Sequence, residues 1–414
     1  MIPAARWTPL LTGSEASRAR ALVDQAVAAT IAAGPEGLGC HLFGGHAGLA
    51  LLHTELARGT PRGLSSERAF GSLERALDLV AHEAVQPGLF SGLAGVGFAL
   101  SLHQELVLQN QDHEVALGQL DQALLASLAQ PRWPGSFDLF DGVAGIGVYL
   151  LERLPRAAAV EGLFRVLDHL EALGADDGSG LAWPGDLALD PGSDGPFWLG
   201  AAHGNLGPFA LMGLLSQQPP FVARARVLVR RSAQWVLPRA QRVTTPGPFP
   251  AVGPEARARA RVGWCAGEPG IGAALLVASP DAATRELALE VARGPVDRPV
   301  DGWGVNDLSI CHGVAGVAHT YNRLFQVTGE PAFERIARRG FDSLCRQLEA
   351  EETESWKLCL TRNGYRCKPG LVEGLAGVAL ALWAATSADE PAWDRAFVLS
   401  SRPPHAPPLD GPSL

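Results

Sequence analysis

Cys265, Cys311 and His312 make up the donor set of a catalytic zinc site: two thiolates and one imidazole, with a fourth position left for a substrate. The charges are informative. Zn²⁺ with two thiolates and a neutral imidazole sums to zero, so a third thiolate arriving as fourth ligand makes the cluster anionic and keeps that sulfur nucleophilic. A histidine at His203 supplies a group able to give or take a proton near neutral pH. Asp138 could orient it or cap a helix, and Asp141 is an alternative for the same task. Arg261, four residues before Cys265, could be a surface cation or could stabilise a developing oxyanion. Buried cysteine often serves as a small hydrophobe. Two cysteines at one slot of a repeat, with a histidine beside one of them, point instead to ligands.

That slot belongs to a six-residue pattern with paired glycines that occurs seven times. The copies read Phe43-Gly44-Gly45-His46-Ala47-Gly48, Phe90-Ser91-Gly92-Leu93-Ala94-Gly95, Phe140-Asp141-Gly142-Val143-Ala144-Gly145, Ala202-His203-Gly204-Asn205-Leu206-Gly207, Cys265-Ala266-Gly267-Glu268-Pro269-Gly270, Cys311-His312-Gly313-Val314-Ala315-Gly316 and Val372-Glu373-Gly374-Leu375-Ala376-Gly377. The third-slot glycines are spaced by 47, 50, 62, 63, 46 and 61 residues. A motif at this period marks a repeat architecture with one supersecondary unit per copy, and a closed ring of such units brings equivalent slots together around one axis. Cys265 and Cys311 lie in consecutive copies, so ring closure makes them neighbours about one helix-packing distance of 8–10 Å apart at the backbone.

Most glycine pairs are followed by a stretch that is apolar nearly all round, such as 49–53, 96–100 and 378–383, which suits a helix buried on several sides. Amphipathic segments lie between them: 65–83, with Phe70, Leu73, Leu77 and Val80 on its apolar stripe, and 332–348. Each period therefore holds an inner apolar helix and an outer amphipathic one. Strand signals are weak. The predicted fold is all-α, an α/α toroid of seven inner and seven outer helices, with residues 1–400 forming one domain and the Pro-rich 401–414 a tail. Glycine at the start of each inner helix lets seven helix ends crowd together and allows a loop turn with φ > 0. Gly/Pro-rich pieces at 175–195, 244–254 and 294–306 are predicted as loops over one rim.

Other candidates weigh less. Cys359 and Cys367 lie eight apart with no histidine nearby, Cys345 sits on an amphipathic stretch, and Cys40-His41 falls outside the shared slot; Glu373 could be a rim acid. No GxxxxGK(S/T) phosphate loop is present. Hydrophobic residues at 47% against 19% charged describe a globular, core-rich chain. A net charge of −9 without a basic cluster argues against nucleic acid. No apolar run reaches the roughly 18–20 residues of a membrane span. The start of the chain lacks the pattern of a secretory signal, and six cysteines are too few for a disulfide scaffold. A reduced, cytoplasmic protein is expected.

The seven glycine pairs, together with Trp264-Cys265-Ala266-Gly267 and Cys311-His312-Gly313, resemble the lanthionine synthetase C-like family from Gly45 to about Trp383. The resemblance implies a zinc-bearing α/α barrel with zinc ligands at Cys265, Cys311 and His312. It carries the family's acid/base histidine onto His203, its aspartate onto Asp138 rather than Asp141, and its arginine onto Arg261. Ala266, where the family often has an aromatic residue, and the less regular Asn205 and Pro208 are departures.

The implied reaction is zinc-dependent addition of a peptide cysteine to dehydroalanine or dehydrobutyrine, closing a lanthionine or methyllanthionine thioether ring. The expected partners are a dehydrated precursor peptide with leader and core, an upstream dehydratase and an exporter; the chain itself is expected as a monomer. Alternatives are addition of glutathione to dehydrated residues in proteins, a non-catalytic peptide-binding scaffold, and a glycosidase built on Asp138, Asp141 and Glu373.

Overall fold

The apolar stretches after the glycine pairs form helices that are buried on all sides because they contain almost no charge to solvate. In the computed structural model, which describes residues 7–58, 63–176, 178–185, 197–244, 261–279, 281–361 and 363–400, these are α2 (His46–Ala57), α4 (Leu93–Leu106), α6 (Val143–Glu152), α8 (Leu206–Leu215), α10 (Glu268–Ala278), α12 (Val314–Thr328) and α14 (Leu375–Thr386). Each packs on the next, and α14 packs on α2, closing a ring. Around it lie α1 (Gly13–Ala32), α3 (Leu64–His82), α5 (Gln111–Leu128), α7 (Ala157–Leu173), α9 (Val222–Thr244), α11 (Ala282–Arg293) and α13 (Pro331–Glu349). The fold is the expected α/α toroid of seven inner and seven outer helices.

An outer helix keeps one apolar stripe. In α13, Phe333, Ile336, Ala337, Phe341, Leu344 and Leu348 are buried at helical spacing while charges face water. The stripe of α3 differs from expectation: Ala69, Leu73 and Ala76 are buried, and Phe70 remains 37% exposed, stacked on His113 of α5. Six inner helices pack on the outer helix that follows them, but α14 packs on α1. The first helix of the chain thus completes the last unit, helped by hydrogen bonds from Leu11 N–H to Ala385 O (2.9 Å) and from Trp7 Nε1 to Ala384 O (3.2 Å).

The glycines are required for closeness rather than for left-handed backbone. None of the third-slot glycines has a positive φ; those serving as helix N-caps are extended, with φ between −90° and −155°. This corrects the expectation of φ > 0 turns. A Cβ at Gly45, Gly92 or Gly267 would overlap the carbonyl oxygen of Gly39, Gln86 or Arg261, and sixth-slot glycines such as Gly270 and Gly316 meet Trp264 O and Ile310 O. The incoming loop lies directly on the helix start, and a side chain there has no room.

Two short antiparallel hairpins supplement the helices: β1 (Ala175–Asp176) with β2 (Leu181–Ala182), and β3 (Cys359–Thr361) with β4 (Gly364–Arg366). Beside the first, the Asn205 side chain accepts from Trp183 N–H (2.8 Å) and donates to Trp183 O (3.0 Å). That ties the loop to the start of α8, which begins one slot later than the other inner helices. Residues 294–306 hold a 3-10 turn at Val300–Trp303. Positions 186–195 and 245–254 of the expected loops, and the expected tail 401–414, lie outside the described residues.

At the other end of the inner helices, the segment after α14 closes the interior. Glu55 accepts from Ala392 and Trp393 N–H (2.8 and 3.1 Å), Arg395 reaches Glu105 and Glu152 (both 3.1 Å), and buried Asp394 holds Arg323 and His319 (both 2.9 Å). Phe397 then packs on Phe90 and Trp264. Among the described residues no helix is long and apolar enough to cross a membrane.

Candidate metal centre and its surroundings

The first slots of the seven copies meet in a ring of backbone hydrogen bonds. N–H groups of Phe43, Phe90, Ala202, Cys265, Cys311 and Val372 donate to the first-slot carbonyl of the next copy at 2.8–3.3 Å, with Val372 returning to Phe43. Between copies three and four the donor is Leu139, one residue earlier, to Ala202 O (3.2 Å). The hub is therefore built from backbone, and the side chains at this slot divide it. Phe43, Phe90 and Phe140 form an aromatic sector, with ring centroids 5.8 Å (Phe43–Phe140) and 4.6 Å (Phe90–Phe140) apart. Cys265 and Cys311 form a sulfur sector, with Cys265 N–H on Cys311 O (3.3 Å).

Ligand atoms of Cys265, Cys311 and His312 all lie within 4.8 Å of one another, a spread that one ion with bonds near 2.0–2.3 Å can draw together. Each is held by its surroundings. The indole N–H of buried Trp264 donates to Phe397 O (2.9 Å), fixing the residue before Cys265. Val262 N–H donates to Trp303 O (2.8 Å), and Arg298 pairs with buried Glu268 at the start of α10 (2.6 Å), so the 294–306 segment braces the loop carrying Arg261 and Cys265. On the other side, Asp307 Oδ1 accepts from Ser309 N–H (3.0 Å), while Asp307 Oδ2 lies 3.2 Å from His312 Nε2. That contact leaves His312 Nδ1 as the ring nitrogen open to a metal, the outer arrangement that orients metal-bound imidazoles.

The electrostatics fit the same donor set. Hydrogen bonding from Cys311 draws the Cys265 thiol well below its ordinary range, helped against burial by His312 and Arg261; Cys311, sharing that proton, is held well above. Burial opposes charge on His312, but Asp307 and Cys265 outweigh it and push the imidazole up to about 9. Two sulfurs sharing one proton beside a cationic imidazole form a site where a divalent cation can replace both charges. Other thiols behave differently: burial raises Cys345, Cys359 and Cys367 to about 11, and raises Cys40 as well. Among the described residues they join no metal-ligand group.

The ring has a register that explains the partner of His203. The residue four before the third-slot glycine abuts the residue one before that glycine in the next copy. A Cβ on Gly88 would sit 2.9 Å from Asp141 Cα, one on Gly263 3.3 Å from His312 Cα, and one on Gly370 2.5 Å from Gly44 Cα. By the same register Asp138 of copy three meets His203 of copy four, with Oδ2 2.8 Å from Nδ1. Asp138 is not the helix cap that the alternative reading allowed, since α6 starts without a side-chain cap; its Oδ1 accepts from Asp141 and Gly142 N–H (2.9 and 3.0 Å) and so closes the turn before the helix. Burial works against a charged His203, but the hydrogen bond and charge of Asp138 prevail and its pKa is raised.

Asp141 makes no side-chain hydrogen bond to His203; it accepts from Ser91 Oγ. Arg261 is exposed, and its charge is felt at both sulfurs. Glu373 accepts from the Cys359 thiol (3.0 Å) and helps hold the Cys311 thiol protonated. Asp307 was missed in the sequence because it stands outside the repeated slots, six residues before Gly313.

A profile of the family described as lanthionine synthetase C-like protein matches residues 37–398. Among solved structures, the chain is similar to nisin cyclase with a TM-score of 0.66 at 16% identity, covering 92% of this chain and 97% of that one. It is also aligned with an α-1,6-mannanase (GH76A) of Salegentibacter sp., with a TM-score of 0.44 at 12% identity, covering 80% of this chain and 100% of that one. No curated protein matches the chain significantly.

Proposed function

The chain belongs to the lanthionine synthetase C-like family, and from that premise we propose that it is a zinc-dependent lanthipeptide cyclase. It would add a cysteine thiol of a dehydrated precursor peptide across the double bond of a dehydroalanine or dehydrobutyrine in the same peptide. Cys265, Cys311 and His312 would hold one zinc ion, which when bound lowers the pKa of a thiol brought to it as it does that of water. The observation that carries this reading is the gathering of those three ligand atoms within 4.8 Å on the same hub as the Asp138–His203 pair.

In the addition, an S–C bond forms at the β-carbon, the π bond breaks, a proton leaves the thiol and one arrives at the α-carbon. His203 suits the second transfer. Asp138 occupies Nδ1 and so leaves Nε2 to face the substrate, and its hydrogen bond and charge, working against burial, raise the His203 pKa and so favour the protonated ring. Arg261 supplies positive charge where the enolate oxygen develops. Phe43, Phe90 and Phe140 give the hub an apolar wall that limits water near the reacting carbons.

The test is Cys311→Ala, assayed for bound zinc and, by mass spectrometry with a thiol alkylator, for ring closure on a dehydrated cysteine-containing peptide. Loss of both is expected; zinc retained near one equivalent with full cyclisation would rule the reading out. Free glutathione offered in competition separates peptide cyclisation from addition of an external thiol.

A further inference from the structure

Beside the hub, between copies two and three, lies a cleft of about 370 Å³ lined in part by Gln86, Ser91, Gln130, Trp133, Pro134 and Asp141. We propose that this cleft is a docking subsite that takes a lysine or arginine side chain of the substrate peptide against Asp141. The proposal rests on the reading of the chain as a peptide-modifying enzyme and adds to it where the peptide is gripped and by what chemistry.

The lining fits a cation on a peptide. Asp141 is the only charged residue among the described residues that line it. Ser91 engages Asp141 Oδ1, leaving Oδ2 to a ligand. Two histidines are close enough to feel the Asp141 charge: burial lowers the His41 pKa, and His203 is hydrogen-bonded to Asp138 rather than to Asp141. The indole N–H of Trp133 is committed to Ser136 O (2.9 Å), so buried Trp133 lends the cleft wall apolar bulk rather than a competing donor. Gln86 and Gln130 supply neutral donors and acceptors suited to peptide amides, and the volume falls in the usual range for ligand sites.

Position ties the cleft to the reaction site. Asp141 N–H donates to Asp138 Oδ1, and Asp138 Oδ2 holds His203. A side chain seated on Asp141 therefore anchors the peptide beside the acid/base pair, with the next residues free to cross the hub toward Cys265 and Cys311.

The probe is a capped heptapeptide of Gly, Ala and Ser with one central lysine, compared with its norleucine counterpart, both titrated by calorimetry into the full-length protein. The lysine peptide is expected to bind about fivefold more tightly than the norleucine peptide, the gain of one favourable partly exposed ion pair. That preference should vanish in Asp141→Asn and in Gln130→Lys, an exposed position where an added cation competes without disturbing the core. It should survive in Cys311→Ala, so loss of the metal centre and loss of the subsite are read separately. Equal affinity for the two peptides, absence of binding at about 10 mM, or a preference that persists in Asp141→Asn overturns the proposal.

Discussion

Asp138 and His203, 65 residues apart in the chain, meet at 2.8 Å because the last-but-three residue of one copy's approach to its glycine lies against the residue preceding the glycine of the next. One carboxylate both closes the turn that leads into α6 and fixes the tautomer of a histidine on α8's loop. Replacing it with Asn keeps an acceptor for that turn but removes the charge that raises the His203 pKa. If protonated His203 delivers the α-carbon proton, the alkaline limb of kcat/KM against pH moves to lower pH in Asp138→Asn, with a loss of roughly 10²–10⁴ in rate. The linked stability has the same sign: it is fully present below about 6.5 and is lost as pH rises through the raised value. A pH profile superimposable on that of the wild type removes His203 from the proposed role.

Asp307 is expected to tune metal affinity without touching the metal. Asp307→Asn should weaken zinc binding about 10–100-fold, measured by competition with a chromogenic chelator, because the imidazole of His312 loses its orienting carboxylate. Unchanged affinity would show that the 3.2 Å contact is incidental.

The glycine argument separates close approach from helix propensity. Gly267→Ala forces a Cβ onto Arg261 O and should destabilise by about 1–3 kcal/mol or more while displacing Cys265. Gly118→Ala, in α5 with nothing within 4 Å of its Cβ, should stabilise by about 0.5–1 kcal/mol. Thermal or urea denaturation of both variants checks the contrast, and a tolerated Gly267→Ala would contradict it.

Acid should weaken the fold through its buried histidines. Burial lowers His53 and His103 to about 4 each, and neither ring nitrogen of His103 has a partner among the described residues. Their folded pKa values lie below the unfolded 6.5, so the stability they contribute is present above about 6.5 and falls with pH toward 4, by up to about 1.4 kcal/mol per pH unit for each histidine. His103→Leu should flatten this slope between pH 6.5 and 4 in denaturant titrations. An unaltered slope would mean that His103 becomes charged without cost.

What could be read from the chain alone is what repeats. A missing Cβ is demanded at every inner-helix start for the same steric reason, so it leaves a record in each copy, and Cys265 and Cys311 stand out because they share one slot of that record. The apolar runs and amphipathic stripes likewise report each helix's own faces. Contacts between copies leave no such periodic trace. Asp307, the pairing of α1 with α14, the seating of Asp394 among Arg323 and His319, and the choice of Asp138 over Asp141 on physical grounds all depend on how the ring closes. Closure brings together residues whose separation along the chain is arbitrary, and only the packed tertiary structure decides which of them touch.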